Sequence, residues 1–386
     1  MKPVILIPGL GGSILVRRGS EKRQLFHKSV PANRWINIYS VTNTEIEKWR
    51  KEVSFPIKYD WKGNIKDLEN VDDVYSYDFG GTNGIKDIIP EFLLLPKGYH
   101  DILDEVFRFR YFHPICDFLH RHGYVDHETL LGAPYDFRLI LSPKIRKAYF
   151  KELKNLIEES CHKQNKQAVI VSHSLGGIIF KWFLTEYTGQ EWIDKYIHKW
   201  ICISAPFGGS YQALRTVTCG DHYVPSLRKH IQSELRYITG IIMCMPNTLS
   251  VDKNEPLLHI TGNDKRIITI NEYEKLANEN MIAFKIWKDL YEPNQKFIEQ
   301  KIKVPTEVFI GNRKETYGVA FTEKIDTLPY RISKVNGDSI VSKDSLLSIE
   351  KILHKEGLHE HIYPTHDHTS LLNCHEVMQT IYKNSL

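Results

Sequence analysis

The chain has 386 residues, long for one domain and short for three; its 42% hydrophobic and 25% charged side chains suit a globular protein with a large core. Its 51 basic and 47 acidic side chains leave a formal charge of +4, too balanced for a nucleic-acid binder. No apolar run approaches the roughly 18 residues of a membrane-crossing helix; the longest, 92–95 and 238–245, are far shorter.

In chain order, Met1-Lys2-Pro3 leads into the apolar run Val4–Ile7, which Pro8-Gly9 ends at once. With no small-residue cleavage site after it, this run reads as a buried strand and not as a signal peptide. Gly9-Leu10-Gly11-Gly12 is then a flexible loop. Residues 29–110 are rich in aromatic and turn residues and read as an excursion from the core. A helix is expected over 111–123, with Phe112, Ile115, Phe118 and Leu119 on one face. Residues 130–135 read as a short strand ending in a turn, and 145–161 as an amphipathic helix. The β-branched run 168–171 is followed by Ser172-His173-Ser174-Leu175-Gly176 and an amphipathic segment, which is strand, sharp turn, helix. Residues 200–204 form another apolar strand, 211–300 an irregular stretch with helical pieces, and 306–310 and Leu358–Tyr363 the last strands before a closing helix over 369–382. Strands alternating with helices argue for a mostly parallel sheet covered on both faces. The six cysteines (116, 161, 202, 219, 244 and 374) show no C-x-x-C spacing and are expected to be free thiols in a reducing compartment.

The 168–177 stretch carries the chemistry. It matches the nucleophile elbow G-x-S-x-G with Ser172 at the first glycine position, so Ser174 is the candidate nucleophile. The apex residue is strained, and its neighbours two before and two after must be small if strand and helix are to pass closely. A serine nucleophile needs a base, and the base needs an orienting group; in this architecture the order is Ser, Asp or Glu, then His. Asp338, in Asn336-Gly337-Asp338-Ser339, is the preferred acid, with Asp344 as the fallback. Six histidines crowd the C-terminal part; His368 is preferred because it precedes the closing helix that Leu371 and Leu372 could anchor, and His366 is the alternative. His366-x-His368 also raises a metal site, but no further ligand stands at suitable spacing, so neither metal nor other cofactor is expected. One oxyanion amide should come from Leu175, the residue after the nucleophile, and the other from the loop after the first strand, 8–12.

Together these residues resemble the lecithin:cholesterol acyltransferase family, which includes lysosomal phospholipase A2 and phospholipid:diacylglycerol acyltransferases. Val4-Ile5-Leu6-Ile7-Pro8-Gly9-Leu10-Gly11 is similar to its opening strand and oxyanion loop, and Ser172–Gly176 to its H-S-L-G elbow. Ala133-Pro134-Tyr135-Asp136-Phe137-Arg138 resembles its A-P-Y-D-W-R signature and Ala205-Pro206-Phe207-Gly208-Gly209-Ser210 its A-P-W-G-G-S, each with Phe for Trp. Gly337-Asp338-Ser339-Ile340-Val341 resembles the acid turn, and His368-Thr369-Ser370-Leu371-Leu372 the histidine segment. The resemblance implies one α/β-hydrolase domain over 1–386, with a membrane-binding cap at 29–110, a lid or cap at 211–300 and a Ser174–Asp338–His368 triad. It also implies oxyanion amides from Gly11 or Leu10 together with Leu175, and Trp61 near the active site. Asp136 and Arg138 are expected to form a structural ion pair. The implied chemistry is an acyl-enzyme drawn from a glycerophospholipid, passed to a lipid alcohol or water. The implied partners are a phospholipid surface, bound peripherally, and a lipid acyl acceptor, in a cytoplasmic or peripheral-membrane setting. Secreted members carry a disulfide in the early excursion, whereas residues 1–115 here hold no cysteine. Rival readings are a soluble-substrate carboxylesterase and a non-catalytic lipid-binding protein on the same fold.

Overall fold

The computed structural model describes residues 1–17, 74–87, 110–221 and 235–386. Twelve strands lie among them. In chain order they are β1 (Val4–Ile7), β2 (Leu15–Arg17), β3 (Val74–Ser76), β4 (Leu130–Gly132), β5 (Ala168–His173) and β6 (Ile197–Ile203). β7 (Leu258–Ile260), β8 (Arg266–Ile268), β9 (Thr306–Gly311), β10 (Lys314–Thr322), β11 (Arg331–Gly337) and β12 (Leu358–Tyr363) follow.

Six of the strands form the main sheet, in the order β12-β9-β6-β5-β1-β4. Every pairing in it is parallel. β1 and β5 are buried at every residue, as expected of strands covered on both faces. Alternation along them divides the interior in two. Ile5, Ile7, Ile170, Trp200 and Cys202 enter one apolar cluster; Val4, Leu6, Val169, Val171, Ile201 and Ile203 enter the other. The helices Pro143–Gln164 and Leu175–Trp182 cover the first face through Phe150, Leu153, Ile157, Ile178 and Ile179. The helices His113–Arg121 and His375–Ser385 cover the second through Ile115, Leu119, Val377 and Ile381. This parallel sheet with helices on both faces is the α/β-hydrolase architecture that the sequence pattern indicates.

Boundaries differ from the sequence-based expectation in physically simple ways. The helix expected from 145 begins at Pro143, because proline at the first helical position loses no hydrogen bond. The closing helix is split. A 3-10 turn, Ser370–Asn373, places Leu371 and Leu372 in the core, Cys374 is extended (φ −79°, ψ 125°), and the helix proper is His375–Ser385.

The stretch 211–300 contains the helix Tyr211–Cys219 and, further on, β7 and β8. These two pair with the β10–β11 hairpin in a second sheet, ordered β11-β10-β7-β8. Ile242, Tyr273 and Phe284 from this stretch lie in the same apolar cluster as Ile5 and Ile170. Of the early excursion, only 74–87 and Arg110 are described; Trp61 lies outside the described residues.

Candidate active site

The topology fixes where chemistry can occur. The chain passes from β1 to β4 on one side and then to β5 on the other. The loops after β1 and β5 therefore emerge side by side at the carboxyl ends of the strands, where ligands bind in open α/β sheets.

At the end of β5 the backbone turns sharply. Ser174 has φ 53° and ψ −127°, a positive φ that a β-carbon makes costly. Three features hold the residue there. Its N–H donates to the Ile203 carbonyl (2.9 Å) and its carbonyl accepts from Gly177 (2.9 Å). The third is the absence of a side chain at Gly176, where a β-carbon would stand 2.5 Å from the Pro8 carbonyl oxygen and 2.6 Å from that of Ile7. The elbow thus presses directly on the β1 loop. Ser172, in the motif's first glycine position, is fully buried and accepts a hydrogen bond from the Trp200 indole (2.8 Å).

Ser174 Oγ lies 3.0 Å from His368 Nε2. On the other side of the ring, His368 Nδ1 lies 2.7 Å from Asp338 Oδ2. With Nδ1–H donating to the carboxylate, Nε2 is left as an acceptor for the serine hydroxyl. Asp338 is fully buried; its other oxygen accepts from the amides of Ile340 (3.0 Å) and Val341 (2.8 Å). The aspartate follows β11 directly, and its carbonyl accepts the His368 amide (2.8 Å). Acid and histidine are therefore joined by backbone as well as side chain. The alternatives stand elsewhere. Asp344 is exposed in the helix Lys343–Leu347, and the ring of His366 pairs with Thr365 Oγ1 (3.1 Å) and packs on Tyr363.

The two family-like signatures support this frame. Arg138 and Asp136 are both buried in a two-point ion pair (Nε–Oδ1 2.8 Å, Nη2–Oδ2 2.7 Å). Ser210 donates from Oγ to the Ile340 carbonyl (2.7 Å), tying the segment after β6 to the Asp338 turn.

In the β1 loop, the Gly12 amide donates to the Gly9 carbonyl (3.1 Å) and the Gly9 amide to the Tyr111 hydroxyl (2.7 Å). Gly11 has φ 75°. The amides of Leu10, Gly11 and Leu175 have no partner among the described residues. Two residues beside the triad, Tyr111 and His173, are not among the candidate site residues that the sequence singles out. The Tyr111 hydroxyl lies 2.6 Å from His173 Nδ1, and His173 Nε2 lies 2.9 Å from the His368 carbonyl. Burial, with His368 adjacent, lowers the His173 pKa to about 3. The one sequence signal for it was the histidine of the H-S-L-G pattern. All six cysteines are free and buried, and no described helix is long and apolar enough to cross a membrane. Among the described residues no group of three or more His, Cys, Asp or Glu side chains is arranged to hold a metal ion.

Comparison with known proteins gives a consistent picture. The chain is 33% identical over 184 residues to the phosphatidylcholine-sterol acyltransferase of Gallus gallus, covering 47% of this chain and 43% of that one. It is 26% identical over 245 residues to the lysosomal phospholipase A and acyltransferase of Canis lupus familiaris, covering 62% and 58% respectively. The match thus spans about half the length of these relatives. Among solved structures, a chain of the Tle4-Tli4 complex aligns over 100% of this chain and 99% of its own, with a TM-score of 0.53 and 11% identity, a likeness of fold. The family profile described as lecithin:cholesterol acyltransferase matches residues 99–349, well over half of the sequence, and the chain belongs to that family.

Proposed function

We infer that the protein is a serine acyltransferase and phospholipase that takes an acyl group from a glycerophospholipid. The observation that carries this reading is the run Ser174 Oγ, His368 Nε2 and Nδ1, Asp338 Oδ2, at 3.0 Å and 2.7 Å, beside a β1 loop whose Leu10 and Gly11 amides have no partner among the described residues. Ser174 Oγ attacks the ester carbonyl and gives its proton to His368 Nε2, while Asp338 stabilises the imidazolium that results. The negative oxygen is held by the Leu175 amide and by Gly11 or Leu10. Collapse expels the lyso-lipid alcohol, which takes the proton from His368 and leaves an ester on Ser174. Water or a lipid alcohol then attacks that ester, His368 accepts its proton, and the free acid or new ester leaves as Ser174 is reprotonated.

The relatives' names, a sterol acyltransferase and a phospholipase with acyltransferase activity, support a phospholipid donor. The family membership also favours peripheral engagement of a phospholipid surface. Six buried free thiols suit a reducing, cytoplasmic setting.

Vesicles of phosphatidylcholine containing sterol, diacylglycerol and ceramide, with product analysis by mass spectrometry, test the reading and name the acceptor. Lyso-lipid should accumulate together with free fatty acid or one acylated alcohol, and a fluorophosphonate should label Ser174. Absence of both lipid turnover and labelling would overturn the proposal in favour of a non-catalytic lipid-binding protein. Turnover of soluble esters with none of vesicle lipid would favour the carboxylesterase.

A further inference from the structure

The triad accounts for one side of His368. The other side leads, through groups that transfer no proton to substrate, back to the loop that faces the oxyanion. The Gly9 amide donates to the Tyr111 hydroxyl (2.7 Å), which has one proton left to donate. That proton points to His173 Nδ1, 2.6 Å away. With Nδ1 an acceptor, the proton of neutral His173 sits on Nε2 and donates to the His368 carbonyl at 2.9 Å. The opposite tautomer would set two lone pairs against each other at the carbonyl, so the direction of the whole chain is fixed. The His368 amide donates to the Asp338 carbonyl. Both backbone groups of the triad histidine are therefore tied, one to the acid and the other to the residue before the nucleophile.

The packing is equally specific. A β-carbon at Gly9 would stand 2.8 Å from Ser174 Cβ, 3.1 Å from the His173 carbonyl oxygen and 3.2 Å from the Tyr111 hydroxyl. The loop, the elbow and the tyrosine thus meet at one point. The His173 ring lies edge-on to Tyr111 (centroids 5.4 Å apart) and tilted against His368 (4.9 Å). Tyr111 and His173 are 8% and 2% exposed, so no water competes freely for these bonds. Burial, with His368 adjacent, holds the His173 pKa down at about 3, so at neutral pH no second positive charge faces the imidazolium that catalysis forms on His368.

We propose that Tyr111 and His173 are positioning residues that lock the β1 oxyanion loop and the triad histidine into one register, so that the donors and the base move as a unit relative to Ser174. This rests on the acyl-transfer reading above. Misplacement of a reacting group by about 1 Å can cost on the order of 100-fold in rate, and the chain from Gly9 to His368 controls that placement from both ends.

The test compares wild type, Tyr111→Phe, His173→Leu, His173→Gln and the double variant Tyr111→Phe/His173→Leu. Thermal melting is followed alongside kcat and KM on phosphatidylcholine vesicles and the rate of fluorophosphonate labelling. Tyr111→Phe, which removes one oxygen and keeps the ring, should lower kcat and the labelling rate about 10- to 100-fold, with KM within about twofold. His173→Gln keeps an N–H near the Nε2 position and should recover at least about tenfold of what His173→Leu loses. The double variant should be no slower than the slower single, because both act through one chain of bonds. If Tyr111→Phe keeps wild-type kcat and labelling rate, or if His173→Gln recovers nothing in a protein that melts like wild type, the proposal fails. Should His173→Leu not fold, Tyr111→Phe alone decides. A wild-type protein that neither labels nor turns over lipid refutes the catalytic reading itself, whereas an active wild type with an unaffected Tyr111→Phe refutes only the positioning role.

Discussion

The two halves of the candidate site are built in different ways. The nucleophile half is local. One strand, one turn and one helix carry Ser174, and its strained φ is held by contacts within a few residues of the apex, by the Ile203 carbonyl at the end of the adjacent strand and by the neighbouring β1 loop. The acid–histidine half is assembled from afar. Asp338 and His368 are 30 residues apart, and His368 lies 194 residues from Ser174. Its precision comes from backbone amides on Asp338 and from the mutual bond between residues 338 and 368. The first half is set by steric exclusion, the second by hydrogen bonds, so they should fail differently: steric changes should cost stability and polar changes should cost rate.

The largest expected effect tests whether the halves act as one machine. Ser174→Ala should lower turnover by roughly five to six decades, leaving only what the loop and binding supply. Adding His368→Ala to it should cost almost nothing further. Single-turnover hydrolysis of vesicle phosphatidylcholine measures this, and substantial additivity would mean that the two residues belong to separate processes.

Next is the acid. Asp338→Asn preserves shape but presents the wrong partner to Nδ1–H, and kcat should fall by about 10⁴ with little change in melting temperature. Asp344→Asn, at an exposed helix position, should be within about twofold of wild type. The paired kinetics separate the two carboxylates that the sequence left as alternatives. The contrast comes from the nucleophile half. Gly176→Ala places a methyl 2.5 Å from the Pro8 carbonyl oxygen and should destabilise the fold by about 2–3 kcal/mol, read as a lower midpoint in urea.

The same contrast explains what could be read in advance. A strand-turn-helix with a small-residue pattern is a local signal, so the strand, the apex serine and the helix after it were all apparent from Ala168–His173 onward. The parallel sheet was apparent too, because strands buried on both faces leave continuous apolar runs such as Val4–Ile7. β7 and β8 are three residues each, too short for any periodicity to register; β10 and β11, of nine and seven residues, were not anticipated either, and the second sheet went unseen with all four. Asp338 and His368 could be reached only as preferences among several carboxylates and histidines, since nothing local distinguishes a turn aspartate that accepts amides from one that faces water. Tyr111 and His173 were missed for the same reason. Their roles depend on contacts spanning 62 and 195 residues, and a tyrosine at a helix entrance and a histidine at a strand end look locally like ordinary core residues.

The smallest expected effect bears on His173, which belongs to both halves, being covalently next to Ser174 and hydrogen-bonded to His368. Its folded pKa is about 3, against about 6.5 when unfolded. Below pH 6.5 the unfolded chain therefore takes up a proton that the folded chain refuses, and stability falls with pH until about 3. Between pH 7 and 5 this one group should remove about 2 kcal/mol. Lys181, lowered by burial to about 7, is half protonated in the folded state at the upper end of that window and adds a smaller loss of the same sign, while Glu360, raised by burial and by Glu350, titrates with the opposite sign. Neither is altered by His173→Gln, so both cancel when the variant is compared with wild type. Urea midpoints at pH 7 and 5 should therefore separate less in the variant than in wild type. Equal separations would mean that His173 is protonated in the folded protein, and a charged ring at that position could not accept the Tyr111 proton on which the link between the two halves depends.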